Sequence, residues 1–179
     1  MVDDRSDNAS AKSLAVAQAP ALEARTYTEK IYLDDYTIGE VLVSPSRTIT
    51  ETDLVNYAGL TGDWHPLHTD ANYAATTPFG ERIAHGMLTL VIGSTLILRY
   101  GPHWYLPRSF IAFYGIDAVR FTGPVKIGDT VHSVNRVSDI IEKDPEKGIL
   151  HYHSKVLNQR DEVVLVWDAR MLVGRRPPS

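Results

Sequence analysis

The second half of the chain alternates between hydrophobic and polar positions with a period of two. Four such segments, rich in Val, Ile and Tyr, are typical of β-strands: IAFYGIDAVRF, KIGDTVHSVNRVSDII, GILHYHSKVLNQ and EVVLVWDARMLVG. Breaks between them fall at Gly123-Pro124, at Asp144–Gly148 and at Gln159–Asp161. The last break is short, so the pattern predicts an antiparallel hairpin there.

One long apolar stretch, MLTLVIGSTLIL, precedes these strands. The segment Met87–Arg99 is hydrophobic on nearly every face, which predicts a helix buried at the centre of the domain. The stretch is too short to span a bilayer. A buried helix followed by about four antiparallel strands, with one more strand from the N-terminal half, indicates an α+β domain whose sheet wraps around the helix.

The N-terminal half predicts one strand and one helix before a loop. The strand is EVLVSPSRTI, and the helix is ETDLVNYAGLTG. Thr50 and Asp53 form a capping-box pattern at the start of that helix, and Gly59 and Gly62 are expected to end it. Residues 61–70 are then predicted to be a loop just beyond the helix end.

Both ends of the chain differ in composition from the middle. Residues 1–28 are rich in Ala, Ser, Asp and Gln without a clear period. They are predicted to be a mobile tail, with a short helix over residues 9–24 as the alternative. The domain is expected to span residues 29–174, and residues 175–179 are expected to be a disordered end. The N-terminus is acidic where a secretory signal is basic, so a cytoplasmic location is expected.

Length and composition exclude several classes of function. The 179 residues suffice for one domain with a proper core. A formal net charge of −4 and the lack of an Arg/Lys cluster argue against a nucleic-acid-binding surface. The chain has no cysteine, so disulfides, thiolate metal sites and a cysteine nucleophile are excluded.

The stretch TGDWHPLHTD, residues 61–70, holds the candidate chemistry. Asp63 and His68 are residue types that commonly move protons, although both are also ordinary turn residues. His65 and His68 form an H-x-x-H pair, which invites a zinc interpretation. Zinc needs a third ligand, which Asp63 or Asp70 would have to supply. We expect no metal and no cofactor here, because these two acids suit other roles better.

Three segments follow one another in a fixed order along the chain: GDWHPLHTD, PFGERIAHGM and RFTGPVKIGDT. Together they resemble the MaoC-like hydratases, also called (R)-specific enoyl-CoA hydratases, which belong to the hotdog-fold superfamily. The likeness runs in register from about Tyr32 to Gly174. The family signature is commonly written Gly-Asp-x-Asn-Pro-Leu-His-x-Asp, and this chain departs from it once, with His65 in the position of the Asn. It retains Gly62, Asp63, Pro66, Leu67, His68 and Asp70.

The resemblance implies a single hotdog domain that assembles as a homodimer or larger homo-oligomer, with substrate bound between subunits. It implies the reversible hydration of a 2-enoyl thioester, of CoA or of an acyl carrier protein, to the (R)-3-hydroxyacyl thioester. Asp63 and His68 would hold the water, and the amide of Gly86 at the start of the helix would stabilise the thioester oxygen. Ser94 matches a serine that the family often carries near its active site. Neither a nucleic acid nor a membrane is expected as a partner.

Further residues receive weaker assignments as substrate-binding groups. His85 is interpreted as an anchor of the oxyanion loop, as a gate, or as packing. Trp64 is interpreted as a hydrophobic wall or a dimer contact. Arg120 and Lys126 are candidates for contact with the phosphates of coenzyme A. His65 can form hydrogen bonds as the family's Asn does, but it also titrates near neutral pH.

The size of the acyl group that the site accepts has two interpretations from the sequence. Bulky side chains in residues 74–83 and 103–114 either shorten the acyl channel, which favours short or branched acyl groups, or pack in the core. These side chains are Phe79, Trp104, Tyr105, Phe110, Phe113 and Tyr114.

Two other functions are compatible with the same fold. A hotdog thioesterase would use a carboxylate such as Asp63 to activate water at the carbonyl carbon. A non-catalytic acyl-thioester-binding subunit would be expected to lack Asp63 or His68. Both residues are present, and the pair favours hydration.

Overall fold

A computed structural model describes residues 28–100 and 106–178, which form an antiparallel sheet and several short helices. The strands are β1 (Val41–Val43), β2 (Arg47–Thr48), β3 (Phe110–Phe121), β4 (Thr130–Glu142), β5 (Lys147–Leu157) and β6 (Val163–Gly174). The helices are α1 (Glu51–Thr61), α2 (Pro66–Thr69), α3 (Ala71–Ala75) and α4 (Gly86–Thr95), with 3-10 turns at Leu33–Asp35 and Leu96–Tyr100.

The sheet follows the order β1-β4-β5-β6-β3, and β2 pairs separately with β4. Strands β3 to β6 are the four segments predicted from the period of two, and β5 and β6 form the predicted hairpin. The N-terminal strand prediction was wrong in one respect, because that segment is divided into β1 and β2. Pro45 lies in the division, and a proline has no amide hydrogen to donate to a strand partner.

Helix α4 packs closely against the sheet. Leu88 and Ile92 are buried in the core that Trp167 also enters. A methyl group on Gly93 would lie 2.4 Å from Cγ2 of Val156 in β5. The helix and the sheet therefore approach too closely at this point for a larger residue.

The helix differs from the prediction for Met87–Arg99 in two ways. It begins at Gly86, and it gives way to a 3-10 turn at Leu96. One of its faces is not buried, since Met87 and Val91, one turn apart, are each 51% exposed. The expectation of a helix buried on all sides was therefore wrong for this face.

The capping prediction for α1 is confirmed. The hydroxyl of Thr50 accepts from the amide of Asp53, and the carboxylate of Asp53 accepts from the amide of Thr50. Gly62 ends the helix in the left-handed conformation, with φ of 77°. Gly59 lies inside the helix, so its expected part in ending it was wrong. The stretch predicted to be a loop contains the short helix α2, which Pro66 opens.

The predicted N-terminal tail, with its alternative helix over residues 9–24, lies almost entirely outside the described residues. At the other end, Arg175 pairs with Glu142 at 2.7 Å and Arg176 pairs with Asp35 at 2.5 Å. In the part of the chain that the structure describes, no helix is long and apolar enough to cross a membrane.

Candidate active site

The segment between α1 and α3 is held by hydrogen bonds from its own side chains. His65 caps α2, with its Nδ1 accepting the amide hydrogen of Leu67 at 3.2 Å. Asp70 caps α3, with one carboxylate oxygen accepting the first amides of that helix at 2.8 and 3.0 Å. Such caps satisfy backbone donors that have no partner inside a helix. His68 lies between the two caps, so its backbone is fixed on both sides.

His68 uses one ring nitrogen for a backbone hydrogen bond and leaves the other free. Its Nδ1 lies 2.8 Å from the carbonyl oxygen of Ile83. A carbonyl oxygen only accepts, so Nδ1 carries the hydrogen and Nε2 keeps its lone pair. Burial is the largest cause of a lowered pKa for His68, and the neighbouring His85 and His65 act in the same direction. The ring is therefore a neutral base at neutral pH.

His85 joins the loop backbone to the ring of His68. It is 2% exposed, and its Nε2 donates to the backbone carbonyl of Asp63 at 3.0 Å. Its ring is stacked on that of His68, with centroids 3.9 Å apart and planes inclined by 31°. The ring of Tyr57 lies 4.8 Å from it. His85 thus contacts both members of the predicted acid–base pair.

Asp63 brings its carboxylate to the same place. One oxygen of Asp63 and one ring nitrogen from each of His68 and His85 all lie within 4.8 Å of one another. Two hydrogen bonds of about 2.8 Å that meet at a tetrahedral oxygen span about 4.6 Å. Two groups at the upper limit of this range can therefore be bridged by a single water molecule. Asp63 is exposed and His68 is half-buried, so solvent reaches the gap from the side of the carboxylate.

Gly86 directly follows His85 and is the first residue of α4. The first hydrogen bond of the helix runs from the amide of Thr89 to the carbonyl of His85, so the amide of Gly86 has no acceptor within the helix. The approach to the helix is fixed, since the amide of Ala84 donates to the carbonyl of Val125 at 2.7 Å. A free donor at a helix N-terminus favours negative charge on a nearby oxygen.

The same three side chains are also close enough together to be considered as metal ligands. Nε2 of His85 already donates to the carbonyl of Asp63, so a metal bound through this nitrogen would replace that hydrogen bond. The Nδ1 of His65 accepts from Leu67, and His65 is not one of the three residues that lie close enough together.

Ser94 lies apart from this cluster, and Trp64 directly follows Asp63 in the chain. Ser94 is about two turns further along α4 than Gly86, and its hydroxyl donates to the carbonyl of Val91. The structure does not bring it beside Asp63. Trp64 is half-exposed and points its large apolar surface to solvent, while its carbonyl accepts from the hydroxyl of Thr69.

The predicted contacts with the phosphates of coenzyme A are not tested by the geometry. The guanidinium of Arg120 is exposed and donates to the carbonyl of the preceding residue. Lys126 forms an ion pair with Glu81 at 2.6 Å.

The predicted channel residues divide into three groups. Phe110 packs against the core, Trp104 and Tyr105 lie outside the described residues, and Phe79, Phe113 and Tyr114 are exposed. Their effect on the acyl channel stays a prediction.

Three contributors to the site were not predicted from the sequence. The carbonyl of Ile83, which orients His68, belongs to the backbone and has no sequence signal. Nothing in the sequence indicated that the ring of Tyr57 in α1 would lie beside that of His85. Phe121 lies in the segment RFTGPVKIGDT, and its ring contacts Gly86, where a methyl group would lie 3.1 Å from the ring.

Comparison with known proteins supports the resemblance. A family model for the MaoC like domain matches residues 35–156. The (R)-specific enoyl-CoA hydratase of Rhodospirillum rubrum is 34% identical over 147 residues, which are 81% of this chain and 93% of that protein. Protein MaoC of Klebsiella aerogenes is 38% identical over 116 residues, which are 65% of this chain and 33% of that protein. The chain thus spans about a third of the length of this second relative.

Solved structures identify the fold. A structure from Archaeoglobus fulgidus, described as a monoamine oxidase regulatory protein, has a TM-score of 0.79 and 40% identity and covers 84% of this chain and 99% of that one. A Mycobacterium tuberculosis protein with a double hotdog fold has a TM-score of 0.68 at 20% identity, covers 84% of this chain and 46% of that one, and shares the fold alone. The sheet around α4 is a hotdog fold, as expected. The chain belongs to the MaoC-like domain family.

Proposed function

We propose that this protein adds water reversibly to the double bond of a 2-enoyl thioester and so forms the (R)-3-hydroxyacyl thioester. The observation that carries the proposal is that a carboxylate oxygen of Asp63 and a ring nitrogen of His68 lie within 4.8 Å of each other, with His85 and the start of α4 beside them. Acid–base groups around a water and a free amide donor are what this reaction requires. The Rhodospirillum relative, which matches over most of both chains, is named an (R)-specific enoyl-CoA hydratase.

In the hydration direction, the water between Asp63 and His68 attacks C3 of the enoyl group. A bond forms between the water oxygen and C3 while the π bond between C2 and C3 breaks, and its electron pair moves onto the thioester as an enolate. The pair takes one proton from the water and returns one to C2, so it ends the cycle in its starting state. Groups placed in this way contribute on the order of 10²–10⁴ in rate.

The amide of Gly86 is assigned to the enolate oxygen. It is a free donor at the start of α4, where the helix dipole also favours negative charge. One preorganised donor of this kind is worth roughly 2.7–4 kcal/mol in the transition state. The absence of a side chain lets the thioester approach the backbone closely.

His85 is assigned a positioning role and does not touch the substrate. Its stack on His68 and its hydrogen bond to the carbonyl of Asp63 couple the two groups that hold the water. Among the interpretations of His85 from the sequence, this role corresponds to the anchor.

We infer that the working form is a homodimer built on β3. Among the described strands, β3 lies at the edge of the sheet and pairs only with β6, so one side of its backbone is open. An open edge invites pairing with another strand. Large apolar side chains are exposed along this strand and on α4: Ile111, Phe113, Ile116, Met87 and Val91.

The test is the loss of the enoyl-thioester absorbance when the protein is added to crotonyl-CoA. We expect hydration by the unaltered protein and its loss, by at least about a hundredfold, in Asp63→Asn and in His68→Gln. His153→Gln is the matched control, because His153 is also a hydrogen-bonded histidine but pairs with Asp168 on the sheet.

Two results would contradict the proposal. Release of free thiol without hydration would indicate a thioesterase that uses Asp63. Binding of the thioester without either reaction, with short and long enoyl groups, would indicate a non-catalytic subunit.

A further inference from the structure

The ring of Phe121 lies directly against Gly86. A methyl group on Gly86 would lie 3.1 Å from Cδ1 and from Cε1 of Phe121 and 3.2 Å from Cζ. Apart from the adjoining backbone, these are the three nearest atoms among the described residues, so one edge of the phenyl ring lies against Gly86, the first residue of α4. Phe121 is nevertheless 51% exposed, so the rest of its surface is free.

The backbone on both sides of this contact is fixed. Phe121 is the last residue of β3, and the amides of Thr122 and Gly123 after it both donate to the carbonyl of Val164 in β6. On the other side, the amide of Ala84 donates to a carbonyl in the chain that follows β3. The ring and the free amide of Gly86 are therefore held in a constant relationship by the sheet.

An ordinary packing role does not account for this arrangement. A phenylalanine that stabilises the core is buried, whereas half of the Phe121 ring is exposed beside a glycine. Its neighbour in space is Gly86, the residue to whose amide the proposed function assigns the enolate oxygen.

We propose that Phe121 is a positioning residue of the thioester site, which shields the Gly86 amide from water and forms a wall for the bound thioester. The inference rests on the proposed function. A hydrogen bond to a developing oxyanion is stronger where water is excluded, because the local dielectric constant is lower. The exposed half of the ring would contact the substrate, and its edge would keep the amide direction constant.

The first measurement is the kinetics of Phe121→Leu and Phe121→Ala on crotonyl-CoA. We expect kcat to fall on the order of tenfold in Phe121→Ala, less than for loss of an oxyanion donor itself, and KM to change less. Phe121→Leu keeps an apolar wall and is expected to recover part of kcat. It also serves as the second variant if Phe121→Ala does not fold.

The second measurement reports the hydrogen bond itself. In an Asp63→Asn background, which is expected to bind without turnover, 2,4-hexadienoyl-CoA is added and its absorbance maximum is recorded. A thioester oxygen polarised by the Gly86 amide shifts the maximum to longer wavelength, and we expect Phe121→Ala to reduce this shift. Ile141→Ala removes an exposed apolar side chain from β4, away from Gly86 and from β3, and it is expected to keep the shift.

A coupling experiment tests the contact directly. Gly86→Ala pushes a methyl group against the Phe121 ring, and Phe121→Ala removes the obstacle. We therefore expect Gly86→Ala to reduce kcat by a smaller factor in the Phe121→Ala background than in the unaltered protein.

The outcomes separate this inference from the proposed function. Hydration and spectral shift that are both unchanged in Phe121→Ala would overturn the inference alone. Equal losses in Phe113→Ala and Phe121→Ala, with dissociation into monomers, would also overturn it, since the ring would then serve the dimer. No hydration by the unaltered protein would overturn the proposed function, and the inference with it.

Discussion

The imidazole rings of His68 and His85 lie against each other, with centroids 3.9 Å apart and planes inclined by 31°. His68 is the proposed base, and His85 is buried and bonded to the backbone of Asp63. The pair of residues that holds the water is therefore supported by one side chain that touches both. This relationship predicts that His85 affects the rate although it does not face the substrate.

Replacing His85 is expected to lower activity and to move its pH dependence. His85→Gln loses the stack, and we expect kcat to fall on the order of tenfold to a hundredfold because the acid–base pair is misplaced. His68 also becomes better solvated, so its lowered pKa returns towards the ordinary value. The measurement is the profile of kcat/KM against pH, whose acidic limb should move to higher pH. A reduced rate with an unmoved profile would contradict this role.

The unaltered protein is expected to keep its activity below the ordinary pKa of histidine. Burial lowers the pKa of His68, and the neutral ring is the active base. His68 is therefore neutral, and the protein active, at and somewhat below the ordinary histidine pKa of about 6.5. Activity is lost only as the pH falls through the lowered pKa that His68 has in the folded protein. Hydration rates between pH 4.5 and 8 check this, with folding followed by circular dichroism at each pH. A loss of activity that begins above pH 7 would contradict it.

His65 caps α2 in the position where the family signature has Asn. Its Nδ1 accepts the amide hydrogen of Leu67, and the side-chain oxygen of an asparagine accepts the same hydrogen bond. We expect His65→Asn to keep the cap and therefore to keep hydration activity. The rates of the two proteins on crotonyl-CoA are compared under identical conditions. A marked loss of rate in His65→Asn, with unchanged folding, would mean that the imidazole ring has a further part in the reaction.

Hydrophobic periodicity was sufficient to predict most of the sheet and the position of the central helix. It could not predict that Met87 and Val91 are exposed, because apolar residue types alone do not show which face of a helix meets the core. Periodicity also predicted one continuous strand where the structure has β1 and β2. Pro45 interrupts the hydrogen bonding between them.

The candidate site was predictable where a side chain carries the role. Asp63 and His68 are recognisable by residue type and spacing, and Gly86 by its place before an apolar helix. The carbonyl of Ile83 could not be predicted, because every residue has a carbonyl and only the fold selects this one. The contact between Phe121 and Gly86 could not be predicted for a related reason, since it joins two distant parts of the chain.

The close approach of α4 to the sheet predicts a strong effect of the smallest possible substitution. Gly93→Ala places a methyl group 2.4 Å from Val156, and overpacking of this kind costs about 1–3 kcal/mol of unfolding free energy. Gly59→Ala is the matched control, since Gly59 lies in α1 with no atom within 4 Å of the new methyl group. We expect it to stabilise by about 0.4–1 kcal/mol. Urea unfolding measures both, and an unchanged midpoint for Gly93→Ala would contradict the packing.

The open edge of β3 predicts the effect of a charge on assembly. Ile116 lies in β3 among the exposed apolar side chains, and Ile116→Lys would bring two lysines close together across a symmetric contact. We expect a monomer by light scattering and a loss of hydration, because the substrate is proposed to bind between subunits. Ile38→Lys is the control, since Ile38 is also an exposed isoleucine but lies in the turn before β1. An Ile116→Lys protein that stays dimeric would exclude β3 as the contact, and a fully active monomer would show that one subunit holds the complete site.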